Sequence, residues 1–233
     1  MEKQIDKTAL SYWFSKIEAA GLPVPKTKIV NITPEAEKAI WAAIDGKSSG
    51  DAWPFYCKLA DAANEIGFPC FLRTGHTSNK HQWQDTCYLK SAKEIPLHVF
   101  NLVEFSLCCD FAGLPWDVWV VREFLPTIPF GVCPRYGNMP ICKEFRFFVD
   151  GGEVRCYHPY WPKEALEEGG AVNLDYEGLC RLADDTPFSL AVAAGAAVGG
   201  SWSVDILETR RGWFVTDMAE AEKSFHWEGC EKQ

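Results

Sequence analysis

The sequence contains no CxxC pair, so the paired-thiol spacing used by zinc ribbons and thioredoxin-like redox centres is missing. It has no GxSxG nucleophile elbow, which leaves a hydrolase triad built on Ser224 and His226 without support. Positive charge is in deficit. Against 32 Asp and Glu stand 23 Lys and Arg, a net charge of −9, so nothing draws the chain diffusely to nucleic-acid backbones or anionic membranes. A nucleic-acid partner would need a local basic groove. Long apolar runs are also missing: the longest stretch of low polarity, Leu190 to Gly200, is too short and too rich in Gly and Ala to cross a bilayer. No repeat or low-complexity tract occurs.

What is present is core. With 47% hydrophobic residues over 233 positions, the chain can bury one large domain or two smaller lobes. Ten cysteines are scattered singly through apolar segments, Cys108 and Cys109 being the one adjacent pair. They read as buried, reduced thiols. The start, MEKQIDKTAL, is charged from its second residue, and the expectation is a cytoplasmic protein. The aromatic residues fall at core periodicity rather than as a base-stacking platform.

Periodicity predicts an α+β chain. The first forty-five residues read as two helices: one carries Trp13, Ile17 and Ala20 on a face, and one is capped by Thr33-Pro34 with Ile40, Trp41 and Ile44 inward. Gly46 to Gly50 is a loop. A helix from Phe55 closes at Gly67, followed by a strand at Phe68–Leu72, a polar loop Thr74–Asp85 and a short strand at Cys87–Leu89. Ala92–Phe111 reads as a helix, and Trp116–Phe124 as a buried strand stopped by Pro126 and Pro129. Lys143–Val149 and Glu153–Tyr157 form a hairpin over Asp150-Gly151-Gly152. Helices follow at Asp175–Leu182 and Pro187–Val198, and a last hairpin pairs Trp202–Leu207 with Gly212–Met218.

That last hairpin carries the sharpest chemical signal. Asp205 and Asp217 interrupt otherwise apolar strands, VDI and VTDM. A carboxylate in a buried strand needs a partner or a metal, and two acids on adjacent strands suit Mg²⁺. The alternative is that they face solvent from an edge strand. Glu144 and Arg146 lie two apart in KEFRFF and so share a strand face, either as a simple ion pair or as part of a phosphate site. Arg73 ends the strand FPCFLR and Lys80 follows in the loop; with Arg146 they offer the fixed positive charge a triphosphate needs. Arg122 and Glu123, just before Phe124, Leu125 and a proline, suit a hinge that meets a base and a ribose, or else a surface salt bridge. His76 and His81 lack a third ligand and read as phosphate-contacting or solvated.

The order FLRTGHTSNKHQW, VVREFLP, EFRFFVDGGEVRCYHPYW, SVDILETRRGWFVTDMAEAEKSFHW resembles the ATP-grasp superfamily, in particular its phage and bacterial clade related to the D123 cell-division-cycle factor. These segments run from Phe71 to Trp227, about two thirds of the chain. The resemblance implies two α+β lobes with antiparallel sheets clasping ATP. It implies a helical segment at 1–50 packing on the core, a smaller nucleotide-clasping lobe with its hinge at 51–125, and a larger lobe with the metal-binding hairpin at 126–233. Under it, Arg73 takes the phosphate-contacting place of a strand lysine, with Lys80 as its loop partner. Arg122, Glu123, Phe124 and Leu125 line the adenine hinge, Glu144 and Arg146 sit at the phosphates, and Asp205 and Asp217 bind Mg²⁺; Arg146 and Lys80 act in catalysis. One departure stands out. Where the family carries Asn two positions after the acid of the last strand, this chain has Ala219; the alternatives are that Glu220 substitutes as the third ligand or that the site holds a single ion, or holds one weakly.

The activity so implied is an ATP-dependent ligase that activates a carboxylate as its acyl phosphate for attack by an amine-type nucleophile, with ATP and Mg²⁺ as cofactors. The alternative is an ATP-binding assembly factor or chaperone acting on a protein. A nucleic-acid ligase sits poorly with the acidic charge. Acceptor specificity would reside in the loops Pro126–Pro140 and His158–Asn173.

Overall fold

The computed structural model describes residues 6–47, 51–109, 112–228 and 230. The chain folds as two compact units, one of residues 26–124 and one that joins the residues up to Pro25 to those from Leu125 onward. The expected 1–50 segment, helical and packing on the core, is divided between the two units, because Thr27–Asn31 pairs as a strand with Val118–Arg122. The first helix, α1 (Leu10–Ala19), buries Leu10, Trp13, Phe14 and Ile17 in the C-terminal unit. A strand then starts the other unit.

That strand, β1 (Thr27–Asn31), is absent from the helical expectation for this region. It is an edge strand without clean two-residue alternation, so periodicity has nothing to register. α2 (Pro34–Ile44) begins as expected: Ala36 N donates to Thr33 Oγ1 at 3.3 Å, and Pro34 occupies the first turn. α3 (Trp53–Ile66) turns Phe55, Leu59, Ala62 and Ala63 inward and stops at Gly67, whose φ of +95° favours glycine. Strands β2 (Cys70–Thr74) and β3 (Tyr88–Leu89), helix α4 (Ile95–Cys108) and strand β4 (Val118–Glu123) complete the unit. The expected end of that helix, Asp110 and Phe111, lies outside the described residues, as do Ser48 to Gly50 of the expected loop. The antiparallel sheet has the order β1-β4-β2-β3.

Register settles its two faces. Cys70, Leu72, Leu89, Trp119 and Val121 join the helices in one apolar core. Phe71, Arg73, Tyr88, Val120 and Arg122 point the other way, because opposed residues of an antiparallel pair share a face.

In the C-terminal unit, β5 (Pro129–Cys133) and β6 (Met139–Cys142) form a two-stranded sheet in place of the expected long loop. Then come β7 (Glu144–Asp150), β8 (Glu153–Pro159), α5 (Lys163–Glu168), α6 (Tyr176–Cys180), α7 (Thr186–Val198), β9 (Ser201–Thr209) and β10 (Gly212–Glu220). The short helix α5 replaces part of the second expected loop. The antiparallel order is β10-β9-β7-β8. Phe145, Phe147 and Val149 alternate toward the core, where Phe188 of α7 meets Phe147 edge-on with ring centroids 5.1 Å apart. Gly195 lets α7 approach closely: a Cβ there would stand 2.7 Å from Val149 Cγ2. No described helix is long and apolar enough to cross a membrane.

Candidate nucleotide and metal site

On the sheet face opposite α7, register draws a row across the strands. His158 on β8 opposes Arg146 on β7, Arg146 opposes Asp205 on β9, and Asp205 opposes Asp217 on β10. All project to one side. The placement of Asp217 depends on a β-bulge: between Val215 and Asp217 the β10 strand takes two steps against one on β9, with Thr216 the extra residue. In a regular strand Val215 and Asp217 would share a face, and Val215, which pairs with Ile206, is fully buried in the core. The bulge therefore keeps the Asp217 carboxylate out of the hydrophobic layer.

Arg146 grips Asp205 with two parallel bonds, Nε to Oδ1 and Nη2 to Oδ2, each 2.8 Å. Its guanidinium also lies 4.9 Å from the ring centre of Tyr160, and Nη1 donates to the Phe225 carbonyl at 3.4 Å. Burial by itself would favour the neutral guanidine; the charge and bonds of Asp205, with Tyr160 and Glu144 behind them, override it and push the pKa of Arg146 up. Glu144 is buried on the same face, two residues before Arg146, and its Oε1 accepts from Thr216 Oγ1 at 3.0 Å. Burial pushes His158 below the ordinary histidine range, so it stands neutral at the end of the row.

The carboxylates fit a Mg²⁺ ion of the kind held by one or two protein oxygens together with phosphate and water. Asp217 faces the row, and its Oδ1 accepts a 3.1 Å bond from Met218 N; Asp205, held by Arg146, keeps further lone pairs on both oxygens. Glu220 does not join them. It opposes Trp202, which puts it on the other sheet face, and it pairs with Lys223 at 2.5 Å.

In the N-terminal unit, Arg73 and Arg122 share the sheet face away from the helices. Arg73 Nε donates to Thr74 O at 3.1 Å, and Arg122 Nε donates to Thr27 Oγ1 at 3.1 Å. Lys80 opens a short 3₁₀ turn, Lys80–Asp85, rather than a plain loop. Burial pushes the Cys87 thiol up to about 12, while the charges of Lys80 and Arg73 act on it in the opposite sense. Glu123 Oε2 accepts from Lys26 N at 3.4 Å. Phe124 stacks at 6.1 Å on Trp83 and lies 4.8 Å from Tyr88, an aromatic cluster that core periodicity does not distinguish. Leu125 is buried and begins the C-terminal unit. Sequence reasoning misses Thr216, Tyr160 and His158 as well: single hydroxyls and rings inside strands look the same in sequence whether or not they serve a site.

No protein-family model matches the chain, and no curated protein matches it. Solved structures do. C-terminally truncated Cdc123 from Schizosaccharomyces pombe is 14% identical, with a TM-score of 0.54 over 91% of this chain and 83% of that one. An N5-carboxyaminoimidazole synthase from Aspergillus clavatus, in complex with ADP and 5-aminoimidazole ribonucleotide, is 12% identical, with a TM-score of 0.51 over 91% of this chain and 43% of that one. A RimK domain ATP-grasp protein from Sphaerobacter thermophilus is 18% identical, with a TM-score of 0.47 over 91% of this chain and 58% of that one. This chain thus spans little more than half the length of the last. At these identities the likeness is one of fold, and the fold is the α+β ATP-grasp fold that the motif order implied.

Proposed function

We propose that the chain is an Mg²⁺-dependent, ATP-binding ligase of the ATP-grasp type, which phosphorylates a carboxylate and passes the acyl phosphate to an amine-type nucleophile. The observation that carries this reading is the row Arg146–Asp205–Asp217 on one face of the C-terminal sheet. A fixed guanidinium beside two carboxylates is the equipment of phosphoryl transfer by positioning and charge neutralisation.

In this reading Asp217 and Asp205 hold Mg²⁺, which when bound neutralises charge on the β- and γ-phosphates. Arg146, oriented by both oxygens of Asp205, presents its remaining N–H groups to a phosphate oxygen. Glu144, tied to Thr216, keeps the strand face acidic beside Arg146 and fixes the bulge that aims Asp217. The N-terminal unit, taken by itself, offers Arg73 and Lys80 as phosphate-contacting groups, Arg122 and Glu123 as hinge groups, and Phe124 with Trp83 and Tyr88 as an apolar wall for a base. The acceptor carboxylate gains the γ-phosphoryl group as ADP leaves, and the amine then displaces phosphate from the acyl carbon.

A second reading, an ATP-binding assembly factor that does not turn nucleotide over, draws on the metal ligands. With Ala219 in the last strand and Glu220 on the far face, the acid set is small. Calorimetry with MgATP, followed by phosphate release across a panel of carboxylic acids and amines, separates the two. Turnover that Asp217→Ala abolishes is expected for the ligase, binding without turnover on every pair supports the assembly factor, and absence of nucleotide binding overturns both.

A further inference from the structure

A second cluster lies on the same sheet face as the acidic row, and its chemistry is of a different kind. Cys156 on β8, His226 and Cys230 bring Sγ, a ring nitrogen and Sγ within 4.8 Å of one another. Cys156 Sγ stands 2.9 Å from His226 Nε2, and Cys230 Sγ lies 3.5 Å from the Tyr157 carbonyl. Both thiols are buried among Phe148, Trp227 and Ala221. Tetrahedral Zn²⁺, with Zn–S near about 2.3 Å and Zn–N near about 2.1 Å, needs donors about 3.6–3.8 Å apart. The 2.9 Å between Cys156 Sγ and His226 Nε2 is shorter than that, and the 4.8 Å within which all three donors lie is longer, so shifts of about 1 Å in the side chains would seat the ion. His226 and Cys230 are separated by three residues, a spacing at which a short turn delivers two ligands to one ion.

A second buried histidine lies beside the cluster, outside the set of three donors. His158, two residues beyond Cys156 and on the same strand face, is buried, and its Nδ1 lies 2.7 Å from the Pro159 carbonyl. Its Nε2 is buried with no hydrogen-bond partner. The ring lies 6.0 Å from that of His226, centroid to centroid, and stacks on Trp227 at 4.8 Å.

We propose that Cys156, His226 and Cys230 form a three-ligand site for a thiophilic divalent ion of the zinc class. Two thiolates and imidazole select Zn²⁺ over the hard ion that suits Asp205 and Asp217. Binding releases the two thiol protons and changes no oxidation state. The ion pins the C-terminal segment across the sheet. That segment is also held by Ser224 Oγ against Ser203 Oγ at 2.6 Å, and it delivers the Phe225 carbonyl to Arg146. The site is thus a structural clasp next to the acidic row, and it stands whether or not the nucleotide reading does.

Anaerobic titration of the untagged, reduced chain with Co²⁺ tests it. A thiolate-to-cobalt charge-transfer band with the visible bands of tetrahedral cobalt, saturating at a single equivalent and bleached by Zn²⁺, is expected. The exposed Cys108, outside the cluster, supplies the control: Cys108→Ser keeps the band, whereas Cys230→Ser and His226→Ala lose it. Circular dichroism on each variant separates a lost ligand from a lost fold, and Cys230 and His226 are chosen because neither sits in the sheet. No charge-transfer band in the parent, a band that survives Cys230→Ser, or a Cys156–Cys230 disulfide found by mass spectrometry in the protein before any reductant is added would overturn the proposal.

Discussion

Removing Asp205 from the face of the C-terminal sheet is the sharpest test of how that face is built. Asp205→Asn keeps the shape but turns an amide N–H₂ toward a guanidinium that now lacks its counter-charge. The side chains of Arg146 and Asp205 are 16% and 5% exposed, so solvent offers little relief. Breaking one partner of a buried pair costs about 3–5 kcal/mol, roughly two to three and a half powers of ten in the folding equilibrium. With a urea slope near about 2 kcal/mol per molar, the midpoint moves down by about 1.5–2.5 M. Replacing both partners with apolar residues, Arg146→Met with Asp205→Leu, removes the stranded charge, and most of the lost stability returns. The double-mutant cycle should thus show a coupling well above the ~0.5 kcal/mol of independent sites. MgATP binding, by contrast, should vanish in the single and double variants alike. A double variant no more stable than the sum of its singles would refute the pair, and one that binds MgATP as the parent does would refute the role given to the row.

Thr216→Val removes the hydroxyl that the buried Glu144 accepts from, and unfolding should become easier by about 1–3 kcal/mol, with weaker Mg²⁺-dependent nucleotide binding by calorimetry because the bulge loses its tie. Burial holds His98 below its ordinary pKa, against the bond to Thr86 and the charges of Glu94 and Asp85. The unfolded chain therefore takes up the proton first: stability is full above about pH 6.5, falls as pH drops below it, and levels off beneath the folded pKa. Denaturant unfolding at pH values from about 5 to 8 should show that fall, reduced in His98→Asn. Burial pushes the thiols of Cys70 and Cys87 up to about 12, so a disulfide reagent at mild pH should label the exposed Cys108 in the native protein and reach Cys70 and Cys87 only after unfolding. Gly195→Ala should cost about 1–3 kcal/mol by forcing α7 off Val149, read as a lower melting temperature.

The strands that carry the candidate site were legible because they obey a period of two under strong burial. In KEFRFFV the alternation of Phe145, Phe147 and Val149 against Glu144 and Arg146 announces a two-sided strand, and the core confirms it. What the sequence concealed is what breaks that period. Val215 and Asp217 are two apart and would share a face, so a strict reading of VTDM sends the acid into the core beside Ile206; only the extra residue at Thr216 sends it to the row with Asp205. A bulge leaves no compositional mark, and the prediction that both acids face one way came from the chemistry of carboxylates, not from periodicity. The clasp was hidden for a related reason. Its ligands come from residue 156 and from 226 and 230, some seventy positions apart, and the hairpin of β9 and β10 must form on β7 before they meet. Local spacing rules see pairs such as CxxC, whereas this cluster exists only as a product of sheet order: β8 lies next to β7, and the chain leaving β10 turns back over the same face to reach it. The same return path sets Phe225 on Arg146. An ion that fixed Cys156 to Cys230 would therefore hold the segment whose Phe225 carbonyl accepts from Arg146, the guanidinium proposed to meet the phosphates.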